Sequence, residues 1–294
     1  MVAQRVSLAY RSPYDWDAVL GFLAARATPG VEAVTDAGYR RTIEVDGRTG
    51  TIAVGRSSST PALDVDIRFP IAGARPAIVG RVRRVFDLDA DPAVIARCLG
   101  GDALLGGILE RHPGIRRPGA WDGFELSVRA ILGQQVSVAA ATTIAGRLAR
   151  RFGTPIEEDA GLDRLFPSPS QLAGAPIEEV GVIATRAECI RRLACAVGDG
   201  SIAFSSTVDS GTVLAALRAL PGIGPWTAQY IAMRALGDPD AFLTGDLVLR
   251  QMAGACTTRE LELRSEGWRP WRSYAVMVLW QGAKEHPPKP RPGK

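Results

Sequence analysis

The N-terminal part of the chain mixes alternating and helical patterns of hydrophobic residues. Apolar and polar positions alternate in "QRVSLAY", "VEAVTDAGYRRTIEVDGRTGTIAVG" and "ALDVDIRF", which is typical of strands with one buried face. The string "VDGRTG" has the composition of a hairpin turn. The segment "YDWDAVLGFLAARA" instead has a helical period, with apolar residues at Trp16, Val19, Leu20, Phe22 and Leu23. Residues 1–74 are therefore predicted to form an α+β domain dominated by an antiparallel sheet.

Helical periodicity dominates from residue 75 to residue 284. The breaks between periodic segments carry Gly, Pro and Asp, as in "RHPGIRRPG" and "LGDPD". This pattern predicts an all-α region, followed by a flexible basic tail at residues 285–294. The predicted helices are 75–87, 91–99, 103–111, 122–132, 136–152, 168–174, 177–181, 184–197, 209–219, 225–236, 246–253, 258–266 and 270–283.

The composition allows a large core and gives no sign of a membrane span. Hydrophobic residues make up 46% of the chain, and no stretch of about eighteen consecutive apolar residues occurs. The start of the chain lacks the apolar segment of a secretion signal, so we expect a cytoplasmic protein. The net charge of +4 and the pI of about 9.1 are compatible with a polyanionic partner.

Several kinds of chemistry are disfavoured by the residues that are scarce. The four cysteines form no CxxC pair, which argues against a metal site, and we expect them to be small buried residues. The two histidines, His112 and His286, leave little material for a triad or a histidine metal site. All three lysines lie in the last eleven residues, so no lysine is expected in the body of the fold. Acid chemistry is left to carboxylates.

A glycine-rich turn joins two of the predicted helices. In "LPGIG", residues 220–224, backbone N–H groups ahead of a helix can converge on an anion, with no side chains to block it. The alternative is an ordinary helix connection with a C-cap glycine. The nine-residue string "LPGIGPWTA" favours a helix-hairpin-helix element, which holds one DNA phosphate without base readout.

Asp246 and several aromatic residues follow this turn. Asp246 can be an N-cap that pairs with Arg250, but a fixed carboxylate can also stabilise the cationic sugar formed when a glycosidic bond breaks. Trp226 and Tyr230 share a helix face, and aromatic faces can stack on an extruded base or attract a cationic one. The alternative for the aromatics is core packing, which we expect for Trp268 and Trp271.

These motifs resemble those of the helix-hairpin-helix DNA glycosylases, and among them the bacterial 3-methyladenine DNA glycosylase II, or AlkA, type. The resemblance implies a TATA-binding-protein-like α+β domain followed by an all-α helix-hairpin-helix glycosylase region with a central cleft. Segments that match this type follow in order along nearly the whole chain: "YDWDAVLGFLAARA", "RRVFDLDADP", "RAILGQQVSVAAA", "LPGIGPWTAQYIAMRA", "DAFLTGDLVLRQ" and "WRPWRSYAVMVLW".

The resemblance also implies roles for single residues. Asp246 would be the catalytic carboxylate, and the pocket for the flipped base would be lined by Phe22, Trp226, Tyr230 and Trp280. No catalytic metal and no cofactor is implied, apart from a structural Na⁺ or K⁺ at the backbone carbonyls of Arg218, Leu220 and Ile223. The implied DNA-binding residues are Gln134, Gln135, Leu220, Pro221, Gly222, Ile223, Gly224 and Thr227.

Two positions of this chain bear on the expected chemistry. Gln135 stands where the best-known member of the type has leucine, so it would fill the gap left by the flipped base and hydrogen-bond to the orphaned partner base. Trp226 stands where glycosylases that also nick the strand have lysine.

The sequence therefore predicts a monofunctional DNA glycosylase of base excision repair. It would flip 3-methyladenine and related alkylated bases out of double-stranded DNA and hydrolyse the N-glycosidic bond, leaving an abasic site. We expect a nucleoid-associated monomer. The alternatives are a glycosylase for deaminated or oxidised bases, a lesion-binding protein without activity, and a sugar hydrolase unrelated to DNA.

Overall fold

The N-terminal part of the chain is built on an antiparallel sheet. The computed structural model describes residues 2–205, 208–255 and 257–286. Five strands pair in the order β1-β5-β4-β3-β2, and every neighbouring pair is antiparallel. The elements of this part are β1 (Val2–Ala9), α1 (Trp16–Ala24), β2 (Glu32–Thr35), β3 (Gly38–Val45), β4 (Arg48–Arg56), β5 (Ala62–Phe69) and α2 (Arg75–Val85).

One face of this sheet is buried under helices α1 and α2. Along β5, Leu63, Val65 and Ile67 are buried while the residues between them are half-buried or exposed, as the alternation predicts. The core under the sheet continues into α2 and as far as Trp121, beyond the predicted domain boundary at residue 74. That boundary stays a prediction.

The remainder of the chain is a helical region around a second, larger core. Its central helix, α5, is buried on nearly all sides, although its sequence "GFELSVRAIL" includes Glu125, Ser127 and Arg129. The helices are α3 (Pro92–Leu99), α4 (Leu105–Arg111), α5 (Gly123–Leu132), α6 (Val138–Phe152), α7 (Pro169–Leu172), α8 (Ala184–Gly198), α9 (Ser210–Ala219), α10 (Pro225–Ile231), α11 (Leu247–Met252), α12 (Thr258–Ser265) and α13 (Arg272–Glu285). A π-helical turn, Ala232–Leu236, extends α10.

The predicted fold class is confirmed, with one correction to the all-α region. Strands β6 (Pro155–Asp159) and β7 (Leu162–Arg164) form a two-stranded hairpin, in a stretch for which the sequence pattern predicts neither helix nor strand. This hairpin lies beside β3, where Arg40 forms an ion pair with Asp159 at 2.9 Å and the Thr42 hydroxyl donates to the Arg164 carbonyl. The hairpin forms because a neighbouring domain offers it partners, and a local pattern does not contain that information.

A buried ion network joins the sheet to the helical region. The guanidinium of Arg41 on β3 lies 2.7 Å from Glu125 on α5, and Arg129 on α5 lies 2.8 Å from Glu32 on β2. Arg129 also donates to the main-chain carbonyl of Arg26, just after α1. Since a buried charge without its partner is costly, these contacts hold the two parts in one arrangement.

Three smaller expectations concern the cysteines, the basic tail and a membrane span. Cys189 is buried as expected, but Cys98 and Cys195 are exposed, and Cys256 lies outside the described residues. The predicted basic tail lies outside them as well, except for His286 and for Glu285, which is the last residue of α13. None of the helices in the described ranges is both long and apolar enough to cross a bilayer.

Candidate active site

A cavity of about 620 Å³ lies where the N-terminal part meets the helical region. Its volume falls in the range of pockets that bind small ligands or single bases, roughly 300 to 1,000 Å³. Residues from α1, α5, α6, α10, α11 and α13, with neighbouring loops, line it. The site is therefore assembled from segments that are far apart in the sequence.

Four aromatic side chains in the cavity lining form what we call the aromatic wall: Phe22, Trp226, Tyr230 and Trp280. The rings of Trp226 and Tyr230 are stacked with centroids 5.2 Å apart, one helical turn from each other on α10. Trp280 on α13 stacks on Phe22 at 6.4 Å. All four residues that the sequence predicted for a base pocket thus come together. Trp268, in contrast, is a core residue that donates to Asp102.

Asp246 lies in the cavity lining at the start of α11, with both carboxylate oxygens held in place. One oxygen caps the helix by accepting the Leu249 N–H at 3.0 Å. The other accepts the indole N–H of Trp226 at 3.2 Å. The two interpretations of Asp246 are therefore compatible, since capping fixes the carboxylate beside the aromatic wall. The described residues include no ion pair between Asp246 and Arg250, which the sequence also suggested.

The predicted hairpin, residues 220–224, joins α9 to α10 and presents its main chain to solvent. Pro221, Gly222 and Gly224 are exposed, while the side chains of Ile223 and Thr227 are buried. Gly222 has a φ of +97°, and an added Cβ would lie 3.0 Å from the Cys189 side chain. A Cβ on Gly224 would meet nothing within 4 Å. Ile223 and Thr227 could therefore reach a phosphate only through their backbone.

The loop between α5 and α6, residues 133–137, carries the two predicted glutamines. Gln134 donates to the Gly222 carbonyl at 2.8 Å and to the Thr227 hydroxyl at 3.1 Å, so its side chain fastens this loop to the hairpin. Gln135 is exposed and has a φ of +56°, a left-handed backbone conformation that residues other than glycine rarely adopt. Val136 and Val138 beside it, which no sequence motif singled out, are 37% and 44% exposed.

Five cationic side chains in the lining were also missed, namely Arg26, Arg116, Arg129, Arg234 and Lys284. Arg26, Arg234 and Lys284 each follow an aromatic-wall residue by four positions, which is the spacing that brings side chains together on a helix. This spacing is the sequence signal that could have identified them. Lys284 corrects the expectation that no lysine belongs to the body of the fold, because it lies within α13 and lines the cavity.

Arginines in the lining change the ionisation of Tyr230, whose hydroxyl accepts a hydrogen bond from Arg234 at 2.8 Å. Burial alone would raise the pKa of Tyr230. The positive charges of Arg234, Arg26 and Arg129 outweigh it and lower that pKa to about 8.

In residues 2–205, 208–255 and 257–286, no three His, Cys, Asp or Glu side chains lie close enough together to hold a metal ion. The monovalent-cation site at the carbonyls of Arg218, Leu220 and Ile223 stays a prediction. The Leu220 carbonyl already accepts the Ile223 N–H at 3.1 Å, so a cation would use its second lone pair.

Comparisons with known proteins agree with this architecture. The model of the AlkA N-terminal domain matches residues 5–122, and that of the HhH-GPD superfamily base excision DNA repair protein matches residues 128–270. DNA-3-methyladenine glycosylase 2 of Escherichia coli is 34% identical over 277 residues, which are 93% of this chain and 96% of that protein. A solved 3-methyladenine DNA-glycosylase from Archaeoglobus fulgidus has the same fold, with a TM-score of 0.82 at 22% identity over 97% of this chain and 99% of that chain.

A further relative is longer than this chain. The "Probable bifunctional transcriptional activator/DNA repair enzyme AlkA" of Mycobacterium tuberculosis is 41% identical over 288 residues. These residues are 95% of this chain but only 57% of that protein. The chain therefore spans little more than half the length of this relative.

Proposed function

This chain belongs to the HhH-GPD superfamily of base excision DNA repair proteins, in the family of DNA-3-methyladenine glycosylase 2, and on that basis we propose that it is a monofunctional DNA glycosylase acting on alkylated bases in double-stranded DNA. The observation that carries the proposal is the position of Asp246, which is fixed by Trp226 and by its own helix at the edge of an aromatic cavity of single-base size.

The reaction begins with binding of the DNA backbone. The exposed main chain of the hairpin holds a phosphate, and the loop at residues 133–137 fills the space of the flipped nucleotide with Gln135. The flipped base stacks in the aromatic wall. The hairpin and this loop act together because Gln134 connects them.

Bond cleavage then depends on Asp246. As the bond between the base and C1′ breaks, positive charge develops on the sugar, and the fixed carboxylate stabilises it. Trp226 and the N-terminus of α11 hold both oxygens, so little reorganisation is needed when the charge appears. Water adds to C1′, and the products are a free base and an abasic site.

Chromatography of free bases released from methylated duplex DNA tests this proposal, with Asp246→Asn as the matched variant. We expect release by the wild type and at least about a hundredfold less by Asp246→Asn. Equal release by the two proteins, or no release by either from any alkylated, deaminated or oxidised duplex, would contradict it.

The monofunctional part needs its own test because Lys284 lines the cavity. A lyase forms a Schiff base between a lysine and C1′, and borohydride reduction turns this into a covalent protein–DNA adduct. We expect no adduct with the wild type. An adduct that is lost in Lys284→Gln would show a bifunctional enzyme.

A further inference from the structure

Two arginines of the helical region have no acidic partner, although arginines close to them do. Arg147 on α6 is exposed and Arg186 on α8 is half-buried. Within the described part of the chain, neither side chain takes part in an ion pair or a hydrogen bond. Both guanidinium groups are therefore free to bind an anion from outside the protein.

The acids that lie near these two arginines are already used. Three acids occur in the 3₁₀ turn before α8 and in the first half of α8. Each is bound to another arginine: Glu178 to Arg191 at 2.8 Å, Glu179 to Arg151 at 3.0 Å and Glu188 to Arg192 at 2.8 Å. The two remaining charges are thus not neutralised locally, and they give this surface a net positive charge.

Arg147 and Arg186 reach the same turn from two sides. A Cβ added to Gly181, an exposed residue before α8, would lie 3.6 Å from the guanidinium of Arg147. Arg186 follows this glycine by five positions and lies in the first turn of α8. Between them, Ile183 is 58% exposed, which is unusual for a large apolar side chain. One small surface therefore combines two unpaired guanidinium groups with an exposed apolar side chain.

This surface adjoins the hairpin at residues 220–224. A Cβ on Gly222 would lie 3.0 Å from the Cys189 side chain, so the hairpin packs on α8. Arg186 precedes Cys189 by three positions, which places it on the same face of the helix, about 4.5 Å further along the axis. The positive surface thus continues the main-chain surface of the hairpin. It lies outside the cavity, because no described residue of α8 lines the cavity.

We propose that Arg147, Ile183 and Arg186 form a second DNA contact, which binds the sugar-phosphate backbone of the duplex beside the phosphate held by the hairpin. This rests on the proposed function and adds a binding surface to it. Guanidinium groups donate charge-assisted hydrogen bonds to phosphate oxygens, and the exposed apolar side chain can cover a deoxyribose. Contacts to phosphate and sugar fix the position of the protein on the duplex and carry no base readout.

The salt dependence of binding tests whether these arginines contact phosphates. Fluorescence anisotropy gives the dissociation constants for an undamaged duplex and for a duplex with a stable abasic analogue. We expect Arg147→Gln and Arg186→Gln each to weaken binding of both duplexes by about three- to tenfold near 0.1 M salt, and to reduce the slope of log K against log salt by about 1. Arg186→Lys keeps the charge and should restore most of the affinity.

Arg48→Gln is the matched control. Arg48 at the start of β4 is also exposed and has no acidic partner among the described residues, but it belongs to the N-terminal sheet. Its replacement removes the same charge and should leave both the affinity and the slope unchanged.

Duplexes in which single phosphates are replaced by neutral methylphosphonates locate the contact. For the wild type, one flanking replacement should weaken binding by about three- to tenfold, whereas Arg186→Gln should no longer respond to it. Gly224→Ala should lose its response at a different phosphate, the one bound by the hairpin.

Three outcomes would overturn the inference. Arg147→Gln and Arg186→Gln could keep the affinity and slope of the wild type. Arg186→Gln could respond to every methylphosphonate as the wild type does, or Arg48→Gln could lose as much affinity as Arg186→Gln, so that only net charge matters. Base release from methylated duplex DNA, measured beside binding, separates this inference from the proposed function. Release that persists in any of these cases would remove only the second contact, whereas a wild type that neither binds DNA nor releases bases would contradict both.

Discussion

Helix α10 separates two regions that are constructed in opposite ways. On one side, the hairpin keeps the side chains of Ile223 and Thr227 inside and exposes its main chain. On the other side, the cavity is lined by large aromatic and charged side chains from several helices. A surface of main-chain N–H groups can bind the phosphate of any nucleotide, while a cavity lined by side chains can distinguish one base from another. Affinity for DNA and choice of lesion should therefore respond to different mutations.

The largest effect is expected in the cavity, at Asp246. Asp246→Asn and Asp246→Ala should both reduce base release by at least about a hundredfold, because both remove the carboxylate charge. Asparagine keeps an oxygen for the N-cap, but its NH2 group cannot accept the indole N–H of Trp226, and alanine loses both contacts. Asp246→Ala should therefore have the lower free energy of unfolding of the two variants, by about 1 kcal/mol. Urea denaturation beside single-turnover excision measures both. An active Asp246→Asn would mean that the carboxylate only caps α11.

The two hairpin glycines test the other side of the comparison. Gly222→Ala forces alanine into a positive φ against Cys189 and should lower the free energy of unfolding by about 1 to 3 kcal/mol. Gly224→Ala meets no protein atom, so its stability should stay within about 0.5 kcal/mol of the wild type.

If a phosphate occupies the open space at Gly224, Gly224→Ala should weaken binding of damaged and undamaged duplexes alike, by about tenfold. Fluorescence anisotropy with both duplexes measures this. If Gly224→Ala leaves the affinity for undamaged DNA unchanged, the phosphate binds elsewhere. The hairpin would then not be the region that sets affinity for DNA.

A smaller effect is expected at Gln135, between the two regions. Gln135→Leu keeps a side chain of similar length to fill the gap but loses the hydrogen bonds to the orphaned base. Excision should become independent of the base opposite the lesion, with changes of a fewfold, since one exposed hydrogen bond contributes about 1 kcal/mol. Excision rates with each of the four opposite bases measure the effect. A wild type that is itself indifferent to the opposite base would contradict this role.

The smallest expected effect is the titration of Tyr230. Its pKa of about 8 lies below that of a tyrosine in the unfolded chain, near 10. The unfolded state therefore binds more protons between these values, and stability relative to Tyr230→Phe should increase from about pH 8 to pH 10. This difference in stability should be lost as the pH decreases through 8.

Tyrosinate absorbance should accordingly rise near pH 8 in the wild type and not in Tyr230→Phe. The charged groups that act on Tyr230 are Arg234, Arg26 and Arg129. Asp246 accepts the indole N–H of Trp226, the residue that stacks on Tyr230. A first tyrosine transition near pH 10 would mean that these arginines do not act on Tyr230 as their geometry indicates.

The same comparison explains what could be predicted from the sequence. The hairpin is one contiguous string, and the helices from α2 to α13 follow local periodicity, so both could be located. Asp246, Trp226 and Tyr230 could be singled out from their own stretch of sequence, whereas Phe22 and Trp280 came from a family resemblance, because only folding brings them to the site. Arg26 and Arg234 were missed although their spacing from Phe22 and Tyr230 was visible, since an arginine on a helix is usually exposed. The β6–β7 hairpin depends on contacts with β3 and left no local signal.

Helix α1 has one further consequence. Its residues Trp16, Val19 and Leu23 belong to the core under the sheet, whereas Phe22 belongs to the core of the helical region. One wall of the cavity is thus encoded near the start of the chain, and Asp246 near its end. If the cavity holds the flipped base as proposed, a substitution of Phe22 in that first helix should change which bases fit, while the contacts that hold Asp246 stay the same.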